Sequence, residues 1–264
     1  MKKIKKPVDL SKKPRVLPTY ATEQDSIYRR AREEYLLSIS ENISLSSIAD
    51  NFAKYARRQE ITRFLARHEL FQKISEVQGC IVECGVYAGQ GLMSWAQISS
   101  ILEPVGGVFR HVYGFDTFSG FPSVHDKDLK GSVQTGWQAG DLRMTSEDDL
   151  HHCIDLFNRN RFLSQIEKVT LIKGDFLNTG AEFLKKNPHI LISLLYLDFD
   201  LYEPTKKALE LFLPRMPRGS ILAFDEINHP LWPGETLALL EMLNLRNLEI
   251  RKFSYEINMS YIVL

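Results

Sequence analysis

The sequence predicts an α/β domain with a mostly parallel, doubly wound sheet, preceded by helices and finished by an antiparallel edge. Three observations predict it. From residue 80 onward, apolar runs of strand length alternate with segments of helical period, as in a parallel sheet covered on both faces. The runs are apolar almost throughout, as strands buried on both sides require. Each run also ends in an acidic or glycine-bearing segment, so one edge of the sheet repeats one chemistry.

Residues 1–21 read as a flexible basic tail, in which seven Lys and Arg stand against Asp9 alone. Such ends are either solvated or bind anions. Over 22–77 apolar residues recur at helical spacing: Ala31, Tyr35 and Leu36, then Ile48, Phe52 and Tyr55, then Ile61, Phe64, Leu65 and Phe71. Two or three helices are expected there as an N-terminal extension, with starts at Thr22 with Asp25 and at Ser44 with Ser47. The main domain is expected over 78–264. Its strands are read at 80–86, 111–117, 169–176, 192–200 and 219–227, and its helices at 91–102, 146–162, 179–186 and 203–213. A further helix at 236–243 precedes strand-like runs at 248–254 and 259–264, the candidates for an antiparallel pair. Residues 119–145 lack a clear period. A loop that long in a compact domain is expected to be a functional lid or disordered, and as a lid it would carry Phe121 and Trp137.

The 264 residues are 44% hydrophobic and 25% charged, an ordinary globular balance. The formal net charge of +0 argues against a nucleic-acid partner. No apolar run reaches the length of a membrane span, and the basic start lacks the apolar stretch of a secretory signal. A cytoplasmic location is therefore expected. Cys80 and Cys84 flank the most apolar run and read as buried reduced thiols.

In doubly wound sheets, ligands bind outside the carboxyl ends of the strands. In the first turn, VECGVYAGQG, Gly85 and Gly89 allow close approach of the backbone and entry into a helix. The GxxxG spacing differs from the GxGxxG fingerprint, so nothing specific argues for a pyrophosphate. Glu83 suits a cation such as the amino group of a bound amino-acid moiety. Asp116 is placed to accept ribose hydroxyls, and KGDF at 173–176 offers an edge for an adenine. Asp198 and Asp200 lie two apart, on one face if the strand continues. Asp225 and Glu226 end the neighbouring run. Three carboxylates meeting there, Asp198, Asp225 and Glu226, would repel without a cation, and hard oxygen ligands suit Mg²⁺.

The ordered set VECGVYAG, YGFDTFSGFP, KGDF, YLDFDLYEPT and the FDE strand end resembles the macrocin O-methyltransferase-like family, over about residues 78–245. The resemblance implies a class I methyltransferase, Rossmann-like fold, S-adenosyl-L-methionine as cofactor, and Mg²⁺-dependent methylation of a sugar hydroxyl. The acceptor would be a deoxyhexose of a natural product, a nucleotide sugar or a surface glycan. By position, Glu83, Gly85 and Gly89 would hold the methionine end, Asp116 the ribose, and Asp175, with Gly174 and Phe176 of the same edge, the adenine side; Tyr87, Thr117 and Phe118 are also expected at the cofactor. Asp198 would lie between cofactor and metal, and Asp198, Asp225 and Glu226 would be the ligands. Glu226 departs from the pattern, which has a second Asp there. Asp198 is the expected base, with His229 and His125 as alternatives, and Trp232, Pro233 and Gly234 would shape the acceptor pocket. The N-terminal helices are expected to pack against a second subunit in a homo-oligomer. Four rival readings remain: a metal-dependent phenol or catechol methyltransferase, a cephalosporin hydroxylase-like protein, a nucleic-acid binder or RNA methyltransferase using the Lys-rich start as an arm, and, last, a non-catalytic sugar-binding or scaffold protein.

Overall fold

The computed structural model describes residues 22–39, 42–131, 136–144 and 147–264. The basic tail at 1–21 and lid residues 132–135 and 145 lie outside the described residues. The chain forms two compact units, divided between Asn51 and Phe52.

The first unit holds α1 (Glu23–Ile39) and α2 (Leu45–Asp50). Both begin at the expected signals. Thr22 and Asp25 cap each other reciprocally, the Thr22 N–H donating to Asp25 Oδ2 at 2.9 Å and the Asp25 N–H to Thr22 Oγ1 at 3.2 Å. The Ser44 side chain accepts the Ser47 N–H.

The second unit opens with α3 (Phe52–Tyr55) and α4 (Arg58–Lys73). Four helices thus precede the sheet among the described residues, where two or three were expected. The extra break comes at Asn51, whose backbone N–H and side-chain amide both turn back to the Ser47 carbonyl and close α2.

The sheet contains β1 (Cys80–Cys84), β2 (Val112–Asp116), β3 (Val169–Lys173), β4 (Ile192–Leu197), β5 (Ile221–Phe224), β6 (Arg251–Lys252) and β7 (Ser260–Val263). Their order is β3-β2-β1-β4-β5-β7-β6. β1 to β5 run parallel, and β7 is antiparallel to both β5 and β6. This is the class I methyltransferase arrangement. The helices are α5 (Gln90–Leu102), α6 (Glu147–Arg159), α7 (Phe176–Lys186), α8 (Tyr202–Phe212) and α9 (Pro233–Met242).

All five parallel strands stop earlier than their apolar runs suggest, and in β3 and β4 this moves candidate site residues. β3 ends at Lys173 because Gly174 turns the chain at φ +134° and Asp175 caps α7 by accepting the Leu177 N–H at 3.0 Å. Phe176 therefore begins a helix. β4 ends at Leu197, and Asp200 adopts a left-handed φ of +62°. Asp198 and Asp200 consequently sit on a loop, not on one face of a continuing strand.

Alternate strand residues feed two cores. Ile81, Leu194 and Tyr196 face Leu70, Phe71 and Trp95 of α4 and α5. Val82, Cys84 and Leu195 face Phe176, Phe183 and Phe212 of α7 and α8. Phe115 packs edge-on against Phe176 and Phe183, with centroids 5.1 and 5.2 Å away. Truncating any of these rings to Ala is expected to cost about 3–5 kcal/mol. Cys80 and Cys84 are buried free thiols, while Cys153 on α6 is exposed. No helix among the described residues is long and apolar enough to cross a membrane.

The strand order reverses between β1 and β4, and doubly wound sheets bind ligands at the carboxyl ends beside such a switch point. The candidate residues of β2 and β3 lie to one side of it. Those of β4 and β5 lie to the other.

Candidate active site

The first turn is built by close backbone approach. Gly85, at φ +94°, lies so near β4 that a Cβ there would stand 1.8 Å from the Asp198 carbonyl oxygen. Gly89, at φ +83°, starts α5, and a Cβ on it would meet Leu150 of α6 at 2.1 Å. Both glycines thus admit the protein's own atoms. Between them Tyr87 holds a positive φ of 49° and is half-exposed at the edge.

The carboxylate of Asp116 stabilises this turn. Its Oδ2 accepts the N–H groups of Val86 and Tyr87 at 2.8 and 2.9 Å, and its Oδ1 accepts that of Phe118 at 2.7 Å. The residue read as a ribose acceptor is also a clamp joining the ends of β1 and β2. Thr117 closes the next turn by donating to the Gly120 carbonyl at 2.6 Å. Phe118 packs against the core on the α5 side. Gly174 and Asp175 follow at the end of β3, next to β2, with the Gly174 N–H bonded to the Asp116 carbonyl at 2.9 Å. Phe176, expected on the adenine side, is instead core, packed against Phe115, Phe199 and Phe212.

Glu83, expected to meet a ligand at the strand end, is enclosed in the core. It lies inside β1, 2% exposed, and accepts the Trp95 indole N–H at 2.6 Å beneath α5. Burial pushes its carboxyl up to about 7, against the opposing pull of Arg67 and the Trp95 bond. Arg67 lies with its guanidinium over the rings of Trp95 and Tyr196.

On the other side of the switch point, Asp198, Asp200 and Glu226 place one carboxylate oxygen each within 4.8 Å of the others. This differs from the expected set, in which Asp225 took the place of Asp200. Asp225 turns away to bond Arg63 Nη2 and the Tyr196 hydroxyl, each at 2.5 Å from its Oδ1. Burial raises Asp225, but Arg63, Tyr196 and Glu226 outweigh it and hold the carboxyl below its ordinary value. Burial, then the neighbouring carboxylates, push Asp198 and Glu226 well above theirs. Asp200 is pushed up to about 7 by the same causes, burial first, with a hydrogen bond from Glu226 opposing.

A fifth carboxylate, Glu235 on α9, stands behind these four, 0% exposed. Its Oε1 and the Oε2 of Glu226 are buried with no hydrogen-bond partner. Five acids around one guanidinium, with two orphaned oxygens, fit a hard divalent cation held by Asp198, Asp200 and Glu226. Asp198 keeps 25% of its side chain accessible and is where the cluster opens outward.

The described lid residues are packed down. Asp128 accepts the Tyr202 N–H at 2.7 Å and the His125 N–H at 2.9 Å, pinning the segment to the start of α8. Trp137 stacks on Trp232 at 4.0 Å and donates to the Leu231 carbonyl, and Phe121 packs edge-on against both indoles. His229 Nδ1 accepts the Leu231 N–H at 3.3 Å, which leaves the other nitrogen of the neutral ring a donor. His125 Nδ1 likewise accepts the Lys127 N–H at 3.1 Å.

Sequence reasoning missed Arg63, Tyr196, Asp128 and Glu235. Arg63 and Glu235 lie in helical segments with no motif around them, and Tyr196 reads as one more core residue of β4. Only the acidic character of Asp128 and Glu235 in mixed or apolar surroundings was a signal.

With this geometry in view, the chain matches the Macrocin-O-methyltransferase (TylF) family over residues 66–249. It is 28% identical over 156 residues to an 8-demethyl-8-(2,3-dimethoxy-α-L-rhamnosyl)-tetracenomycin-C 4′-O-methyltransferase from Streptomyces olivaceus, covering 57% of this chain. The match spans about half (53%) of that relative's length. Among solved structures, CalS11, a calicheamicin methyltransferase, superposes with a TM-score of 0.85 at 31% identity, covering 93% of this chain and 94% of that one. An apo structure of CalS11, described as a TDP-rhamnose 3′-O-methyltransferase, gives 0.78 at 29% identity, covering 93% and 96%. The O-methyltransferase NovP shares the fold, with a TM-score of 0.60 at 22% identity over 77% and 79%. The chain belongs to the macrocin O-methyltransferase (TylF) family of S-adenosylmethionine-dependent methyltransferases.

Proposed function

We propose that this protein is an S-adenosylmethionine-dependent O-methyltransferase that methylates a hydroxyl of a 6-deoxyhexose, with Mg²⁺ assisting. The observation that carries the reading is the convergence of Asp198, Asp200 and Glu226 across the switch point from the Gly85–Gly89 turn. The deoxyhexose rests on the rhamnosyl and TDP-rhamnose acceptors in the names of the two relatives.

S-Adenosylmethionine supplies an activated methyl group on a sulfonium, ready for in-line transfer to oxygen. A Mg²⁺ ion at this site would supply Lewis-acid polarisation, easing deprotonation of a sugar hydroxyl that is otherwise a weak nucleophile. The chain's part is positional. The turn at Val86–Gly89, fixed by Asp116, and the edge at Gly174–Asp175 seat the cofactor on the β1–β3 side. Asp198, Asp200 and Glu226 would hold the ion, and Asp198, the most open of them, would take the hydroxyl proton. Phe121, Trp137 and Trp232 form an apolar wall that keeps water from the reacting atoms.

The test is calorimetric titration of S-adenosylmethionine, with Mg²⁺ and then with chelator, followed by methyl-transfer assays. Nucleotide-linked rhamnose, an aglycone-linked rhamnoside and a catechol would be offered as acceptors. Cofactor binding with methylation of either rhamnose acceptor supports the reading. Absence of cofactor binding, or transfer to the catechol alone, overturns it.

A further inference from the structure

Glu235 has no part in the chemistry above, yet it is the most completely buried acid among the described residues. It lies in the first turn of α9, directly behind the two loops that carry the acid cluster. Its Oε2 accepts the backbone N–H of Glu226 at 3.1 Å. The backbone N–H of Asp200 interacts favourably with this carboxylate as well, helping to stabilise its charged form. Asp200 sits at φ +62°, a conformation that costs a non-glycine residue energy and persists only where its surroundings enforce it. The next residue of α9 repeats the device: Thr236 Oγ1 accepts the N–H of Asn228, itself at φ +63°.

We propose that Glu235 is a positioning residue, whose carboxylate ties the β4–α8 loop to the β5–α9 loop through the Asp200 and Glu226 amides and thereby sets the spacing of the cation's ligands. The inference rests on the reading of Asp198, Asp200 and Glu226 as a cation site. Glu235 is not among the three converging carboxylates, so it acts on the ion through the backbone that carries two of them. Neighbours that orient metal ligands are typically worth 10–100-fold in affinity. A fully buried acid with one orphaned oxygen has little value for stability alone, since an apolar side chain of its size would avoid the desolvation cost.

The experiment compares the full chain with E235Q and E235M, both close to Glu in length. Gln keeps an acceptor oxygen without the charge, and Met keeps neither. Mn²⁺ affinity is read from the free-ion electron paramagnetic resonance signal. Amide hydrogen exchange is read at Asp200 and Glu226 in metal-free protein. E235M is expected to lose about 10–100-fold in Mn²⁺ affinity and to speed exchange at both amides, with S-adenosylmethionine binding preserved. E235Q is expected to restore most of the affinity and protection. Equal losses in E235Q and E235M would assign the effect to charge and overturn the proposal, as would unchanged amide exchange in E235M. A wild-type chain that fails to bind Mn²⁺ overturns the cation reading, and the exchange comparison still decides whether Glu235 holds the two loops.

Discussion

Arg63 on α4 and Asp225 at the end of β5 lie 162 residues apart in sequence and form an ion pair at 2.5 Å. The pair binds the helix that precedes the sheet to the acidic edge. It also removes Asp225 from the carboxylates that converge on the candidate cation position. Arg63 Nη2 is 3.8 Å from Asp198 as well, so its charge offsets part of the cluster's repulsion.

Arg63→Met should therefore destabilise the metal-free protein. Breaking a buried pair leaves an uncompensated charge and costs about 3 kcal/mol, or roughly 5–10 °C of melting temperature in a chain of this size. The same variant should gain more stability from Mg²⁺ than the parent, because the ion then supplies the missing positive charge. Thermal melts with and without Mg²⁺ check both. Equal Mg²⁺ responses would sink the idea that Arg63 and the cation share one electrostatic task.

Gly85→Ala should abolish cofactor binding and lower stability by at least about 1–3 kcal/mol. Its Cβ would stand 1.8 Å from the Asp198 carbonyl at a φ of +94°, so β1 and β4 would have to part. Calorimetry with S-adenosylmethionine is the measurement, and wild-type affinity in this variant would contradict the geometry.

Asp128→Ala removes the acceptor of two backbone N–H groups, on Tyr202 and His125. A loss of about 1–3 kcal/mol is expected, the cost of leaving the buried Tyr202 amide unpaired. Limited proteolysis should cut the 119–131 segment faster in the variant. Unchanged cleavage would mean that Trp137 and Phe121 alone hold the lid.

His111 gives a pH signature. It is partly buried just before β2, bonded through Nε2 to Thr170 Oγ1 at 2.7 Å, and burial brings its pKa down to about 4 from the ordinary 6.5. The unfolded chain binds its proton first as pH falls, so stability is lost from about 6.5 downward and the loss is complete below about 4. Within that window its unfolding constant changes by up to about tenfold per pH unit. Glu83 opposes it: a carboxyl raised to about 7 makes the folded state the better proton binder between 4.5 and 7. The difference between wild type and His111→Phe isolates the histidine and should shrink steadily on going from pH 6.5 to 4. A flat difference curve would refute the shift.

The sequence by itself determined the parallel α/β architecture, the antiparallel edge, the helix starts at Thr22 and Ser44, and the acidic strand ends. These are local matters. Uninterrupted apolar runs mark doubly covered strands, and capping residues act within three positions of themselves. The family was legible too, because it is written in the order of short motifs, each within one strand end or turn. The tertiary structure alone decided which acids meet. Asp200 joins Asp198 because β4 stops at Leu197 and the chain turns left-handed, which no period announces. Asp225 leaves the group because Arg63, far away in sequence, and Tyr196, from the neighbouring strand, claim it. Glu83 and Phe176 sit where strand alternation and a helix cap direct them, one beneath α5 and the other into the core. Glu235 reaches Asp200 and Glu226 because α9 starts against both loops. The chemistry of an edge follows from residue type. The geometry of a site depends on partners that folding brings from elsewhere in the chain.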